Sequence, residues 1–268
     1  MITRGQYETD GFALHTAPLL TPVEVSAAVE GQKAVCRGEY ETGRAPQPSP
    51  WKPGDDPQKL VKIEMPQMAN RAVLETVGHP EVGRAAAQIT GAKAVQVWWV
   101  QMLIKPSIPA DEPAATNIGW HQDRHYWRAW EEGSELLTAW IALTDVTERS
   151  GPMRFVRGSH RWGLMEGAGN FHDQDHDAQR GQIGLPEGAV WEEAPALLPA
   201  GGVSFHHHLT LHASGRNVSG EPRRSFAVHM RTEKSRPVGG KRAGLSQFID
   251  DESVCPMIYG DARHFSDG

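Results

Sequence analysis

The spacing of apolar residues changes character along this chain. Up to about residue 92 they sit in stretches marked by helix starts and stops. From Ala94 onward they sit in short runs closed by glycine, proline and polar turns. Thr21-Pro22-Val23-Glu24 combines a capping hydroxyl, a proline suited to the first helical turn and a glutamate that completes a capping box. It predicts a helix to about Val35. Asn70 to Ile89 predicts a second helical stretch, broken near His79-Pro80 and stopped by Gly91. Phe12 and Leu14 predict an opening strand within Tyr7 to His15, and Leu60 to Glu64 predicts another.

The strongest strand signal is Ala94 to Ile104, rich in β-branched and aromatic residues. Further strands are predicted over Leu136 to Leu143, Met153 to Val156, Val203 to His212 and Arg223 to Arg231. Turn-forming residues separate them at Ser150-Gly151-Pro152, Gly201-Gly202 and Asn217 to Pro222. Gly38 to Pro57, Lys105 to Gly119 and Arg161 to Pro199 read as loops, while Thr232 to Gly268 carries little pattern. Helices followed by a succession of short strands predict one mainly-β domain, a sandwich or barrel with helical cover.

Composition narrows the function classes. The 39% hydrophobic and 22% charged content is ordinary for a globular chain, and 268 residues suffice for one well-buried domain. A net charge of -6 argues against a nucleic-acid partner, whose surface would call for a basic patch. No apolar run reaches membrane-spanning length and the first residues lack a signal-peptide core, so a cytoplasmic protein with no membrane partner is expected. Cys36 and Cys255 are expected to be free thiols. The unusual features are 13 histidines and 9 tryptophans, which gather around one stretch.

That stretch is Trp120-His121-Gln122-Asp123-Arg124-His125-Tyr126. On an extended strand His121 and Asp123 project from the same face and can reach one metal ion, while Gln122 points the other way. Two histidines and one carboxylate on a triangular face, with the other positions open, hold iron in non-haem Fe(II) oxygenases. His212, at the end of a predicted strand, can supply the second imidazole. Arg223 opens the next strand and presents a planar fork of donors that matches the far carboxylate of a diacid such as 2-oxoglutarate.

With these residues placed, the sequence resembles the phytanoyl-CoA dioxygenase family of Fe(II)/2-oxoglutarate-dependent oxygenases. The resemblance runs in order from Gln101-Met102-Leu103-Ile104-Lys105-Pro106 through His121 to Tyr126 and Thr138-Ala139-Trp140. It continues in Ser150-Gly151-Pro152 and Gly158-Ser159-His160 and ends in His212-Ala213-Ser214-Gly215 with Arg223. It implies a double-stranded β-helix, the cupin-like jelly roll, with flanking α-helices: helical cover over about 1–92, the core over about 93–232 and a tail over 233–268. It implies His121, Asp123 and His212 as iron ligands and Arg223 as the 2-oxoglutarate anchor. Ser214, Trp140, Lys62 and Gln101, with Met102 as the alternative to Gln101, would line the co-substrate pocket. Fe(II), 2-oxoglutarate and O2 are the implied cofactors and co-substrates, and a C–H bond of a small molecule the implied target. Related iron halogenases carry a small residue in place of the carboxylate ligand. Asp123 therefore points to oxygen insertion, with desaturation or epimerisation as alternatives on the same core. A redox-silent metal hydrolase or isomerase would use the same three ligands.

Several other groups have metal- or anion-binding chemistry. His206-His207-His208 shares parity with His212, but is expected to support or pack beside the site. His172-Asp173-Gln174-Asp175-His176-Asp177 is expected to be a solvated loop near the entrance. Arg154, Arg157 and Arg161 are expected on a solvated face, and Trp98, Trp99, Trp127 and Trp130 mostly in the core, the last two with an equal claim to the pocket.

Overall fold

The structure is a computed structural model that describes residues 2–113 and 115–265. In chain order its elements are α1 (Arg4–Asp10), β1 (Phe12–His15), α2 (Pro22–Cys36), β2 (Val61–Glu64), α3 (Arg71–Val77), α4 (Pro80–Thr90) and β3 (Val95–Lys105). They continue with β4 (Ile118–His121), β5 (Leu136–Ala142), β6 (Met153–Val156), α5 (His176–Gln182), β7 (Glu193–Pro195), β8 (Val203–His207), β9 (His212–Ser214), β10 (Arg223–Thr232) and β11 (Met257–Tyr259). The strands form two antiparallel sheets. The larger runs β1-β8-β5-β10-β3-β11 with β2 also on β3, and the smaller runs β4-β9-β6-β7. Facing antiparallel sheets with helices to one side are the jelly roll.

Period-two alternation decides what each face does. Val100, Met102 and Ile104 on β3, Leu137, Ala139 and Ile141 on β5, and Phe226, Val228 and Met230 on β10 point outward. There they bury against Val73, Val77, Val82 and Ile89 of the helices. The intervening residues Gln101, Leu103, Thr138, Trp140, Ala227 and His229 point between the sheets and line a cavity. Thr21 and Glu24 form the expected capping box at the start of α2. α3 ends at Val77 with Gly78 as its cap, and His79 caps the start of α4.

Four expectations need correction. Tyr7 lies in a helix, α1, because Thr3 caps its start and Gly11 ends it at φ 81; the strand begins only at Phe12. Val203 to His212 is two strands: β8 pairs in the large sheet and β9 in the small one, with residues 208–211 crossing between them. Both strands are buried, so the apolar pattern ran on through the crossing. Arg161 to Pro199 is not all loop, since it contains α5, capped by Asp175, and β7. The tail forms β11 on β3 and sends Ile249, Val254 and Cys255 into a core with Trp98, Trp127 and Trp130.

Candidate metal centre and its cavity

His121 is the last residue of β4, and Asp123 opens a 3-10 turn, so the two are not on one strand. Their shared direction survives because Gln122 between them stays extended, at φ -112 and ψ 129. Gln122 is fully buried. Its amide donates to Gly163 O at 2.8 Å and Leu209 O at 2.7 Å, and its carbonyl accepts from Met165 N at 2.8 Å. That clamp fixes the turn. β9 pairs with β4 with His212 opposite His121, which brings the third side chain to the same place.

One ligand atom from each of His121, Asp123 and His212 lies within 4.8 Å of the others, and all three residues are buried. His121 Nδ1 faces Gly119 O at 2.8 Å and His212 Nδ1 faces Thr210 O at 3.0 Å. Each carbonyl takes the Nδ1 proton and leaves Nε2 as a lone pair toward the centre. Gly119 must be glycine, because a Cβ there would stand 2.3 Å from Asn170 O. The two Nε2 atoms lie 3.7 Å and 3.8 Å from Asp123 Oδ1. The other carboxylate oxygen is occupied: Thr138 Oγ1 donates to Oδ2 at 3.0 Å and His206 Nε2 lies 3.2 Å from it. Burial, and then the neighbouring imidazoles, lower the pKa of His212 well below the histidine range; burial also lowers that of His121. Burial alone would raise the Asp123 carboxyl, but His212, His206 and His229 outweigh it and hold it well below the carboxylate range. Two neutral imidazoles and a carboxylate with one oxygen free suit a divalent cation.

Beyond this centre lies the cavity of about 520 Å³. At one end Arg223 Nη1 donates to Gly151 O and, at 3.1 Å, to Ser214 Oγ. Trp140 lies 5.0 Å from the guanidinium across its ring face. Gly151 sits at φ 64, where a Cβ would strike Gly215 O at 2.4 Å, so glycine is required to present that carbonyl. Lys105 donates to Ser214 Oγ at 2.7 Å, Gly215 O at 2.6 Å and Ser214 O at 3.1 Å. Burial lowers Arg223 to about 10, so it stays charged; burial and then Arg223 push Lys105 well below the lysine range. Among the described residues neither has an acidic partner, and Arg223 Nε is buried with no hydrogen-bond acceptor. A carboxylate entering here meets a buried guanidinium whose charge and Nε donor are not matched by any acid among the described residues.

The opposite end is aromatic. Trp99, Trp127, Tyr126 and Phe171 line it, with Leu245 contributed by the tail. Lys62 Nζ sits 4.6 Å over the Phe171 ring and 3.5 Å from Glu64 Oε1, and Gln101 Nε2 lies 3.3 Å from the same oxygen. Gln101 faces the cavity; Met102 is fully buried against the helices.

All eight residues singled out from the sequence border this one cavity. The other candidates fall elsewhere or take supporting places. His206 braces Asp123, His208 turns to Leu136 O at 2.9 Å, and His207 packs beside His160. Asp175 caps α5, Asp173 accepts from Asp175 N, and His172 borders the cavity mouth. Arg154 and Arg157 pair with Glu193 and with Asp10 and Glu192, away from the cavity. Trp130 is core, whereas Trp99 and Trp127 form cavity wall. The sequence reading missed Lys105, Thr138, His229 and Glu64. Thr138 and His229 share strand parity with Trp140 and Ala227, a signal that would have flagged them. Lys105 stood out only as the charge closing an apolar strand of 11 residues.

The family model described as phytanoyl-CoA dioxygenase matches residues 7–225. The ectoine dioxygenase of Bordetella parapertussis is 28% identical over 246 residues, covering 85% of this chain and 74% of that protein. The L-proline trans-4-hydroxylase of Streptomyces griseoviridis is 25% identical over 153 residues, 52% of this chain and 57% of that one. Among solved structures, the non-heme alpha ketoglutarate dependent carbocyclase from nogalamycin biosynthesis superposes with a TM-score of 0.66. It is 24% identical, with 88% and 85% of the two chains covered, a likeness of fold.

Proposed function

Because the chain belongs to the phytanoyl-CoA dioxygenase family, we propose that His121, Asp123 and His212 hold the iron of a 2-oxoglutarate-dependent dioxygenase and that Arg223 anchors the co-substrate. Dioxygenase chemistry follows from the family; the reaction we favour is hydroxylation of a C–H bond in a small molecule. One observation carries the residue assignment. Three ligand atoms of matching chemistry converge within 4.8 Å at one wall of a cavity whose end holds a buried guanidinium with no acidic partner among the described residues. The relatives named for ectoine and for L-proline support a small-molecule substrate.

Iron and 2-oxoglutarate, when bound, supply the dioxygen-dependent oxidation; the chain supplies placement. The Gly119 and Thr210 carbonyls fix the tautomers of the two imidazoles, and Thr138 with His206 turns the free oxygen of Asp123 toward the metal position. Arg223 and Ser214 orient the distal carboxylate, with Trp140 lying against the guanidinium. Gln101 and Lys62 border the space between that end and the aromatic one. The aromatic wall excludes water and aims the substrate.

Adding Fe(II) and 2-oxoglutarate without oxygen is expected to produce the visible charge-transfer band of a chelated pair. Alanine at His121, Asp123 or His212 is expected to abolish both the band and succinate release. No band from the unaltered chain, or full turnover from any of the three variants, would refute the assignment.

A further inference from the structure

Resting on that dioxygenase reading, we propose that the aromatic end of the cavity recognises a protonated amine on the primary substrate, with Glu64 as counter-charge and His229 Nε2 as a second acceptor. Glu64 lies on the cavity face of β2. Trp99 Nε1 donates to its Oε2 at 2.6 Å and holds the carboxylate in place. The Oε1 atom is less engaged: Gln101 Nε2 and Lys62 Nζ stand 3.3 Å and 3.5 Å away, at or beyond the long edge of hydrogen-bond range. That oxygen has acceptor capacity left. Lys62 leans over Phe171, whose ring stands edge-on 5.1 Å from that of His121, so its ammonium sits on the metal side of Glu64.

His229 is a second acceptor by proton bookkeeping. Its Nδ1 lies 2.9 Å from Thr138 Oγ1, and that hydroxyl lies 3.0 Å from the ionised Asp123 Oδ2. Oδ2 can only accept, so the Thr138 proton goes to it and His229 must donate from Nδ1. Its Nε2 is then a lone pair, and it makes no hydrogen bond among the described residues. Burial lowers the His229 pKa to about 4, so the ring stays neutral near pH 7. The register sets His229 opposite Trp99, the residue that holds Glu64, so the two acceptors flank β3, Glu64 from β2 and His229 from β10. Trp127 adds its ring face, 4.8 Å from His229. A carboxylate or phosphate would face the Glu64 charge and a lone pair here, the nearby ammonium of Lys62 being already paired with Glu64 at 3.5 Å. A purely apolar group would leave both acceptors dry. An ammonium satisfies both and gains the aromatic faces.

Three probes of one size separate these cases: cyclohexylamine, cyclohexanol and cyclohexanecarboxylate, titrated at pH 7.5 into the metal-free 268-residue chain and followed by saturation-transfer NMR. Only the protonated amine is expected to bind saturably at this end; the acid is expected at the Arg223 end, where Arg223→Gln removes its binding. Glu64→Gln keeps an acceptor for Trp99 but loses the charge, and is expected to weaken amine binding by about 10- to 100-fold, the range of a charge-assisted hydrogen bond. His229→Phe is expected to cost about 3- to 10-fold, and Arg154→Gln, which is paired with Glu193 away from the cavity, less than about twofold. Equal binding of the alcohol, or acid binding that survives Arg223→Gln, would overturn the proposal. So would amine binding untouched by Glu64→Gln, which would place the amine at Asp123 instead. The readout uses no iron and no turnover, so its failure is distinct from failure of the dioxygenase reading.

Discussion

The two ends of the cavity are built on different principles. The Arg223 end is compact and charged. A few polar groups from β3, β9, β10 and the Gly151 turn converge on one carboxylate-sized space, and a single guanidinium sets what fits. The Trp127 end is broad and aromatic. Its wall comes from β2, β3, β10, the 3-10 turn after Asp123 and the tail, and no one side chain dominates. A shared co-substrate calls for the first arrangement and a substrate particular to one enzyme for the second. Charge recognition can rest on one residue, whereas shape is distributed over many.

If this contrast is right, substitutions at the two ends should fail differently. Trp127 is buried and packs edge-on against Trp98 at 4.8 Å. Trp127→Ala should therefore cost about 3–5 kcal/mol of folding stability, measured by denaturant unfolding. A cost below about 1 kcal/mol would mean that the aromatic end is not part of the core. Arg223→Ala should act on affinity: it leaves a bound carboxylate unpaired, and the 2-oxoglutarate Kd should rise about 100-fold at unchanged metal affinity. Lysine at this position should restore only part of that, because it cannot reproduce the fork. An unaltered Kd would remove Arg223 from the site. Between the ends, Thr138→Val deletes the hydrogen bond to Asp123 Oδ2 and should weaken metal binding about 10-fold, read by equilibrium dialysis.

The two ends also differ in pH response. His229 and His208, both near Trp127, are lowered by burial from the usual 6.5 to about 4. Unfolding lets them take up protons between those values. They therefore destabilise the metal-free fold progressively as pH falls from 6.5 to 4, by up to about 1.4 kcal/mol per pH unit for each ring. Arg223 remains charged throughout that window and contributes nothing to the slope. A melting temperature that is flat or rises on acidification to pH 5 would contradict the buried, neutral state of these rings.

The same contrast explains what the sequence disclosed. That His121, Asp123, His212 and Arg223 share one cavity could be read because each is chemically distinctive and lies at or just past a strand end, in family order. The jelly roll could be read because inner and outer faces alternate cleanly on β3, β5 and β10. The aromatic end could not. Leu245, Ile249 and Val254 come from a tail whose 3-10 turns leave no period to detect. The split of Val203 to His212 was hidden because burial on both sides of the crossing looks the same as one continuous strand. Glu64 looked like an ordinary polar position on an edge strand, and only the register beside Gln101 shows that it faces inward.

β10 carries Arg223 at its start and His229 six positions later on the same face, with the small Ala227 between them. At about 3.4 Å per residue that strand is a rigid ruler of roughly 20 Å. If Arg223 grips the diacid as proposed, the strand sets how far the atom to be oxidised stands from it, whatever molecule is bound. Lengthening the substrate by one bond would then shift which carbon is presented, without any change at the metal.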